Sequence, residues 1–567
     1  MSVSQPPRLG VPAGILRQIA EHRRARIRSE GHGLASTPPE RRQVPIVPFG
    51  TPAVRPTRPS TWVSPILICE IKRRSPSAGE IAPGLDPLEQ AGIYARAGVS
   101  HLSILTEEDH FGGSLNDLMA VKRRYPGLAV LRKDFLFDET DLEISLQCGA
   151  DAVLLIAALH DAESLARLCR RAEALGLTPL VEVHDLDDID KTRKARPALT
   201  GINSRDLATF RVDRLAPLAL KGLVDWETRL VYESGVQSSE DARMAGNAGF
   251  SALLVGEAVV RRPSLIDELL AGAAQAAAVG PGTDFWGRVA GRLGGRMPGL
   301  PAGRRSPDAR ALPQGPARPL VKICGLTRAA DAERAAALGA DILGFVFAAS
   351  PRRAEPALLR ELRDLPVLKV GVAVSEEGTR LQHLVDEGLL DAVQLHGDEA
   401  PELCSSLAFP YYKAVRLRQP ADMEQALRFR CPRVLADAWS PQARGGTGRR
   451  IEDGLITAWA ARQPLWLAGG IGPDNVGELV RRFSPELIDA SSRLESEPGR
   501  KDPVRLEQFF GALARASETS HAVEGERAAE IAQAIEITPA AKVLESARET
   551  GILRTTKAKH SAKGGTG

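Results

Sequence analysis

The sequence predicts an α/β fold made of two tandem (βα)8 TIM barrels, joined by a linker rich in Pro, Gly and Arg. Three observations predict it: short apolar runs recur through two regions, helical patterns fall between the runs, and each region holds eight runs. Strands buried in a parallel sheet are continuously apolar rather than alternating. Eight strand–helix units favour a closed barrel, although periodicity alone leaves an open, doubly wound sheet as an alternative.

The apolar runs give the predicted strands of each region. In the first region they are ILICEI (66–71), HLSIL (101–105), LAVLR (128–132), DAVLLI (151–156), PLVEV (179–183), LTGIN (199–203), RLVYE (229–233) and SALLV (251–255). In the second they are PLVKIC (319–324), DILGFVF (341–347), VLKVGV (367–372), DAVQL (391–395), YYKAV (411–415), RVLAD (433–437), PLWLA (464–468) and ELIDAS (486–491). Patterns such as EQAGIYARAG and AADAERAAALG predict the helices between them.

Composition changes divide the chain into five predicted segments. They are an N-terminal helix with a Pro-rich lead-in (1–61), a first barrel (62–275), a linker (276–318), a second barrel (319–515) and a C-terminal tail (516–567). The lead-in, the linker and the tail are expected to be unpacked, and the Arg-rich stretch 281–318 is expected to be solvated. The stretch AAEIAQAIE could form one amphipathic helix in the tail.

Composition and charge exclude several functional classes. The chain is 43% hydrophobic and 26% charged, with a net charge of +3, so it has no chain-wide field for nucleic acid or an anionic membrane. Its longest apolar run, AVLLIAAL, is far shorter than the roughly 20 residues of a membrane helix. Six dispersed cysteines without a C-x-x-C pair favour a reducing, cytoplasmic location. The oligomeric state stays open, and a monomer is compatible with the sequence.

Charged and polar residues follow the first region's predicted strands, at the carboxyl ends where such barrels place their sites. They are Glu70 and Lys72, Lys133, Glu182, Asn203, and Glu233 with Ser234. A charge in an apolar strand costs several kcal/mol unless it is paired or solvated. Each residue alone is compatible with a structural ion pair. Lysines and carboxylates gathered at one rim are typical of acid–base chemistry.

Glycines after the last two strands of the first region indicate an anion site. Gly235 in ESGVQSSED and Gly256 in LLVGEAVV each lie between a strand and a helix. Backbone amides and a helix N-terminus there can hold a phosphate. One such glycine is also an ordinary turn residue, so the pair carries the prediction.

The first region resembles indole-3-glycerol phosphate synthase. The resemblance covers about residues 62–265 and is carried by EIKRRSPSAGEI, SILTEEDHFGGS, LRKDFLFDETDL, PLVEVHD, GINSRDL, YESGV and LLVGEAVV. ILRQIAEHRRARI also resembles the helix that precedes the barrel in that family. The resemblance implies closure of the pyrrole ring of 1-(2-carboxyphenylamino)-1-deoxyribulose 5-phosphate, with loss of carbon dioxide and water.

The same resemblance implies roles for individual residues. Lys133 would protonate the substrate carbonyl, Lys72 would contact the substrate carboxylate and donate a proton during dehydration, and Glu70 and Glu182 would act as base or stabilise charge. Asn203, Glu233 and Ser234 would orient the substrate and lysines, while Gly235, Gly256 and Ser75 would hold the phosphate. The division of proton transfers among the lysines and glutamates stays open. Glu257 departs from the family, which commonly has a small hydroxyl residue there.

A second set of candidate groups follows the strands of the second region. Cys324 ends the first strand in VKICGLTR, and Asp437 ends the sixth in LADAW. A cysteine at a strand end is more often a core residue than a catalyst, but a thiol facing a carboxyl could move protons. The loop PQARGGTGRR is predicted to be a mobile turn or a lid, and LAGGIGPDN and DASSRLE suit a phosphate.

The second region resembles phosphoribosylanthranilate isomerase over about residues 320–512. The motifs are KICGLT, FVFAASPRR, VQLHGDE, LADAW, GGTG, LAGGIGPDNV and DASSRLES. The resemblance implies an Amadori rearrangement in which Asp437 protonates the furanose oxygen and Cys324 removes the adjacent carbon's proton. It further implies that Arg352 pairs with the anthranilate carboxylate, that His396 lines the site, and that Gly470, Ser491 and Ser492 hold the phosphate. Arg353 and Arg493 depart from the family pattern.

Together the resemblances imply two successive steps of tryptophan biosynthesis, with the C-terminal barrel supplying the substrate of the N-terminal one. The expected partners are small phosphorylated anthranilate derivatives, with no nucleic acid and no membrane. No cofactor is expected, because neither reaction needs a redox group and the sequence has no dinucleotide fingerprint or metal-ligand cluster. The alternatives are a single active barrel supported by an inactive one, and a phosphate-binding regulator or scaffold.

Overall fold

The computed structural model consists of two closed, eight-stranded parallel barrels, in which consecutive strands are neighbours. It describes residues 14–51, 64–76, 78–206, 211–279, 284–294, 318–374, 380–405, 407, 409–438 and 450–517. The first barrel has β1 (Ile66–Ile71), β2 (His101–Leu105), β3 (Ala129–Lys133), β4 (Ala152–Ile156), β5 (Thr178–Val183), β6 (Leu199–Asn203), β7 (Arg229–Glu233) and β8 (Ala252–Val255). The second has β9 (Leu320–Cys324), β10 (Ile342–Val346), β11 (Leu368–Ala373), β12 (Ala392–Leu395), β13 (Tyr411–Leu417), β14 (Val434–Ala438), β15 (Trp466–Ala468) and β16 (Leu487–Ala490). The predicted tandem barrels are thereby confirmed.

Helices precede, connect and follow the strands. Around the first barrel they are α1 (Ile15–Glu30), α2 (Pro87–Arg96), α3 (Leu115–Arg124), α4 (Glu139–Cys148), α5 (Ala162–Ala174), α6 (Leu186–Thr192), α7 (Ala216–Lys221), α8 (Ser239–Asn247), α9 (Glu257–Arg261) and α10 (Leu265–Val279). Further along are α11 (Phe285–Gly294), α12 (Ala329–Ala337), α13 (Pro356–Glu361), α14 (Gln382–Asp386), α15 (Pro401–Ser405), α16 (Pro420–Ala426), α17 (Asp453–Ala460), α18 (Val476–Phe483) and α19 (503–517). Among the described residues, none of the helices combines the length and apolarity needed to cross a membrane.

The strands are apolar over most of their length because both of their faces are buried. In β4, Leu154 packs with the cluster inside the first barrel, whereas Val153 and Leu155 pack with the larger cluster between strands and helices. All three side chains are at most 3% exposed. Alternate residues of β4 therefore fill two apolar layers. For this reason its sequence is one continuous apolar run.

The Pro-rich lead-in is packed against the first barrel over residues 31–51, contrary to the expectation from its composition. The Phe49 side chain is 1% exposed and meets the His101 ring edge-on at the amino ends of the strands, with centroids 5.1 Å apart. Arg42 pairs with Asp151 at 2.6 Å, and His32 Nδ1 lies 2.9 Å from an Asp141 oxygen. The lead-in thus closes the bottom of the barrel, where prolines replace regular structure without preventing burial. Residues 52–63 lie outside the description.

The predicted solvated linker is also wrong for residues 285–294, which form helix α11. Phe285 and Trp286 are 1% and 2% exposed. The Phe285 ring stacks on the Tyr412 ring, with centroids 6.3 Å apart. The ring centroids of Trp286 and Trp466 are 6.0 Å apart. This helix packs its aromatic face against the second barrel, so the Gly- and Arg-rich composition did not reveal an amphipathic segment. Residues 295–317 are outside the description.

The end of the second barrel lies slightly beyond the predicted start of the tail. Helix α19 runs to residue 517, and the Ala516 and Ser517 side chains are at most 1% exposed. The predicted tail helix AAEIAQAIE lies in 518–567, which the structure does not describe.

Contacts between the barrels join the carboxyl-end loops of β6 and β7 to the amino ends of the second barrel's strands. Arg433, just before β14, pairs with Asp213 at 2.8 Å and with Glu486 at 2.6 Å. Arg214 Nη1 donates to the Arg430 carbonyl at 3.0 Å, and Arg430 Nη1 donates to the Gln237 carbonyl at 3.0 Å. The second barrel is therefore attached at the rim of the first one.

Candidate active sites

A cavity of about 470 Å³ opens at the carboxyl ends of the first barrel's strands. Its walls include every residue predicted for this site: Glu70, Lys72, Ser75, Lys133, Glu182, Asn203, Glu233, Ser234, Gly235 and Gly256. Leu16 and Ile19 of α1 also line it. Arg23 of the same helix forms a fully buried ion pair with Asp134 at 2.8 Å, which fixes α1 over the strand ends.

Lys133 lies between two buried carboxylates. Its Nζ is 3.1 Å from Glu182 Oε2 and 3.1 Å from Glu233 Oε2. Burial disfavours the ammonium, but attraction to Glu182 and Glu233 outweighs it and raises the pKa of Lys133. Burial and repulsion from Glu182 raise the pKa of Glu233 to about 8, although Lys133 opposes the shift. Near neutral pH the site therefore holds a charged lysine beside a protonated Glu233.

Glu182 is the carboxylate that stays ionised in this group. Burial would raise its pKa, but Lys133 and His184 hold it well below the ordinary value. His184 Nε2 lies 3.1 Å from Glu182 Oε1, and its Nδ1 lies 3.3 Å from Asp188. Burial opposes protonation of His184, but these two carboxylates raise its pKa to about 9. Environment thus shifts the pKa values of Glu182 and Glu233 in opposite directions, as acid–base pairs require.

Glu70 and Lys72 form a second ion pair in the same cavity. Their charged atoms lie 2.7 Å apart at the end of β1. A β-carbon at Gly256 would lie 2.5 Å from Glu70 Oε1 and 2.9 Å from Lys72 Nζ. A side chain at this position would therefore displace the Glu70 and Lys72 head groups.

The predicted phosphate end has the backbone geometry that glycine favours. Ser234 and Gly235 both adopt positive φ, at 66° and 78°. Gly256 directly precedes α9. The first backbone N–H groups of a helix have no acceptor within it and can therefore bind an anion. The unexpected Glu257 carboxylate bonds Arg261 at 2.9 Å within α9. Its charge is thus partly neutralised by an arginine that lines the same cavity.

Two residues of this site were missed from the sequence. His184 follows β5 within the PLVEVHD motif, and no role was predicted for it. Gly201 lies within β6, and a β-carbon there would come within 1.9 Å of Glu233 Oε1. A glycine inside a predicted strand signals the close approach of another group, which could have identified Gly201.

At the second barrel, His396 connects Asp437 to a buried polar chain. His396 Nε2 lies 3.0 Å from Asp437 Oδ2, and His396 Nδ1 lies 3.0 Å from Gln394 Nε2. Gln394 Oε1 accepts bonds from Lys322 at 2.6 Å and Tyr412 at 3.0 Å. Because both donors meet Oε1, the Gln394 amide must donate to His396 Nδ1. His396 Nε2 then faces Asp437, although this close contact lacks hydrogen-bond geometry.

Cys324 lies at the other end of this chain. Lys322, two residues earlier in β9, forms an ion pair with Asp489 at 2.6 Å. Burial raises the pKa of the Cys324 thiol, and the nearby Lys322 ammonium partly offsets that shift. A β-carbon at Gly344 would lie 2.8 Å from Cys324 Sγ, so Gly344 leaves room for the sulfur. Cys324 and Asp437 are thereby linked through Lys322, Gln394 and His396.

The predicted carboxylate-binding arginine has a partner within the protein. Arg352 makes a bidentate pair with Glu495, with its closest N–O distance at 2.8 Å. Lys501 pairs with the same carboxylate at 2.8 Å. A substrate carboxylate that binds here would therefore share Arg352 with Glu495 or displace Glu495 from it. The adjacent Arg353 is 3.9 Å from Glu355, and both of these side chains are exposed.

The predicted phosphate residues of the second barrel lie on neighbouring loops. Gly470 has a φ of 61° after β15, and Ser491 and Ser492 begin the turn after β16. Ser491 Oγ donates to the Cys324 carbonyl at 2.9 Å. The unexpected Arg493 donates to the Gly470 carbonyl at 3.1 Å and pairs with Asp474 at 2.7 Å. The GGTG loop falls within 439–449 and lies outside the described residues.

Comparisons with known proteins agree with this arrangement. The family model described as indole-3-glycerol phosphate synthase matches residues 40–269, and that described as N-(5'-phosphoribosyl)anthranilate isomerase matches residues 321–512. The chain is 42% identical over 203 residues to an indole-3-glycerol phosphate synthase of Carboxydothermus hydrogenoformans, covering 35% of this chain and 75% of the relative.

Other relatives match this chain across both regions. The tryptophan biosynthesis protein TRP1 of Phytophthora nicotianae is 30% identical over 492 residues, covering 75% of this chain and 87% of that protein. A multifunctional tryptophan biosynthesis protein of Phycomyces blakesleeanus is 30% identical over 516 residues, and the match covers 79% of this chain but only 62% of that protein. The chain therefore belongs to the family of tryptophan biosynthesis proteins that join an indole-3-glycerol phosphate synthase domain to a phosphoribosylanthranilate isomerase domain.

Proposed function

We propose that this chain is a bifunctional enzyme that carries out two successive steps of tryptophan biosynthesis. The second barrel isomerises N-(5-phosphoribosyl)anthranilate to 1-(2-carboxyphenylamino)-1-deoxyribulose 5-phosphate. The first barrel then closes the ring with loss of carbon dioxide and water to give indole-3-glycerol phosphate. The observation that carries the proposal is the Lys133 ammonium held 3.1 Å from both Glu182 and Glu233 in a cavity at the barrel rim.

In the isomerase reaction, Asp437 protonates the furanose ring oxygen as the ring opens, and Cys324 removes the proton from the adjacent carbon. The Ala438 amide donates to Asp437 Oδ1 at 2.8 Å and orients this carboxyl, and the His396 ring lies 3.0 Å from its other oxygen. Lys322 favours the thiolate of Cys324 against the effect of burial. Arg352 binds the anthranilate carboxylate with its planar donor fork, while Gly470, Ser491 and Ser492 hold the phosphate.

In the synthase reaction, Lys133 protonates the substrate carbonyl as the new carbon–carbon bond forms. Loss of carbon dioxide follows, and Lys72 supplies a proton to the departing hydroxyl. Glu182 and Glu70 lie beside Lys133 and Lys72 respectively, and they accept protons or stabilise the positive charge that develops. Asn203, Glu233 and Ser234 orient the reacting groups, and Ser75 with the amides of Gly235 and Gly256 holds the phosphate.

One active barrel supported by an inactive one is the alternative. It is disfavoured because each rim keeps its own acid–base groups: Lys133 and Glu182 on the first, Cys324 and Asp437 on the second. The proposed partners are the small phosphorylated anthranilate derivatives themselves. The buried, unpaired state of all six cysteines supports a cytoplasmic location.

The test is turnover by the purified chain, with each phosphorylated substrate supplied separately. Loss of the fluorescent phosphoribosylanthranilate reports the isomerase, and the appearance of the indole product reports the synthase. We expect both activities. Turnover of only one substrate would favour the single-site alternative, and turnover of neither would contradict the proposal.

A further inference from the structure

We propose that Arg430, a residue of the second barrel, binds the substrate phosphate in the cavity of the first barrel. This inference rests on the proposed synthase function and adds a binding residue that comes from outside the synthase barrel. Arg430 lines that cavity together with Gly235, Gln237 and Gly256. It lies between α16 and β14, at the amino end of the second barrel's strands.

Reciprocal hydrogen bonds hold Arg430 at this position. Its Nη1 donates to the Gln237 carbonyl at 3.0 Å, and its own carbonyl accepts from Arg214 Nη1 at 3.0 Å. Arg214 also pairs with Asp241 at 3.1 Å, and Asp241 accepts from the Gln237 amide at 2.9 Å. The guanidinium is thus fixed to the residue two places beyond Gly235, on the loop predicted to hold the phosphate.

Arg430 differs from the other arginines at the interface because no carboxylate of the described residues neutralises its charge. Arg433 is neutralised by Asp213 and Glu486, and Arg214 by Asp241. Within the part of the chain that the structure describes, no carboxylate oxygen lies within 4.0 Å of the Arg430 guanidinium. The positive charge remaining at this rim is therefore available to an anion, and a guanidinium fork matches phosphate oxygens.

The location selects the phosphate rather than the anthranilate carboxylate. Arg430 reaches the cavity beside the loop after β7, where Ser234 and Gly235 adopt positive φ. The acid–base residues Lys133 and Glu182 end β3 and β5, and their side chains are 17% and 6% exposed, whereas Arg430 is exposed. A phosphate monoester seated on the β7 and β8 loops would meet the guanidinium, while the aromatic ring faces the lysines. The two barrels would then share a binding site while keeping separate catalytic groups.

The experiment compares Arg430→Gln with Arg428→Gln in the full-length chain. Arg430→Gln removes the charge and keeps an amide donor, on a shorter side chain. Arg428 is a matched control because it is exposed, lies 3.9 Å from Glu402, and is not among the residues lining the cavity. For Arg430→Gln we expect about a tenfold higher synthase KM, with kcat within about twofold, since a charge-assisted bond to phosphate is lost. The inhibition constant of inorganic phosphate should rise in parallel, and isomerase rates should not change.

A merely structural role would give a different pattern. If Arg430 only fastened the barrels together, the dephosphorylated substrate analogue would lose as much kcat/KM as the phosphorylated substrate. Equal losses on both, or synthase kinetics of Arg430→Gln that match Arg428→Gln, would overturn the inference. Failure of the proposed function is distinguishable, because the wild-type chain would then lack synthase turnover altogether.

Discussion

The Lys133 ammonium lies 3.1 Å from the Glu233 carboxyl, whose pKa burial raises to about 8. Glu182, at the same distance on the other side, keeps a depressed pKa because Lys133 and His184 oppose the effect of its burial. The lysine therefore faces one charged and one neutral partner near neutral pH. This asymmetry makes synthase activity depend on whether the Glu233 carboxyl keeps its proton, which the pH dependence of the reaction can test.

The first prediction concerns the pH dependence of the synthase. A carboxyl with a raised pKa is neutral below about pH 8 and ionised above it, so kcat/KM should fall as pH rises through that value. A second negative charge would hold the Lys133 proton more tightly and repel the anionic substrate. In Glu233→Gln the alkaline limb should move to higher pH, as measured by kcat/KM profiles from about pH 6 to 10. An unchanged alkaline limb would assign the titration to another group.

The second prediction concerns the space that Gly201 leaves for Glu233. A β-carbon at position 201 would come within 1.9 Å of Glu233 Oε1, so Gly201→Ala must displace that carboxyl. We expect synthase kcat/KM to fall at least about tenfold, because small misplacements at a reacting centre have large effects. Gly127→Ala is the control, since nothing lies within 4 Å of its β-carbon position. Equal activity of the two variants would show that Glu233 can move without consequence.

The third prediction concerns the role of the Cys324 thiol in the isomerase reaction. Cys324→Ala should lower isomerase kcat by about 10²- to 10⁴-fold, the usual contribution of a positioned base, and leave synthase turnover intact. The comparison is Cys404→Ala, which removes a fully buried thiol from α15 of the same barrel. Residual isomerase activity close to wild type would remove Cys324 from its proposed role.

The fourth prediction concerns the aromatic helix between the barrels. Trp286 is 2% exposed and packs beside Trp466, so Trp286→Ala should destabilise the second barrel by about 3–5 kcal/mol. In urea, isomerase activity should be lost at lower concentration than in the wild type. The exposed Val504 provides the control, and Val504→Ala should change stability by less than about 0.5 kcal/mol. Identical midpoints for both variants would mean that α11 contributes little.

The sequence predicted those parts of the fold that follow from hydrophobic periodicity. Runs such as ILICEI and RLVYE coincide with observed strands because their two faces are both buried. The packed lead-in and α11 were not predicted. Proline and glycine indicate where regular structure is absent, but they do not indicate whether a segment is buried. Phe49 and Trp286 close the ends of barrels as single side chains within such segments, and one aromatic residue has no period to detect.

The candidate sites were predictable to the extent that motifs fix strand ends. Lys133 and Glu182 are separated by 49 positions, yet parallel strands bring both to one rim. His184 and Gly201 act through neighbours that only the folded chain reveals. Arg430 was beyond prediction for a further reason, because it reaches the first cavity from the other barrel and depends on how the two barrels are joined.

The central claim is that two independent acid–base sites act in series, and Lys133→Ala tests it most directly. Given phosphoribosylanthranilate, this variant should convert it fully to 1-(2-carboxyphenylamino)-1-deoxyribulose 5-phosphate and release no detectable indole-3-glycerol phosphate. Chromatography of the products over time measures both compounds in one experiment. Loss of both conversions in a folded variant, or continued formation of indole-3-glycerol phosphate, would contradict the account.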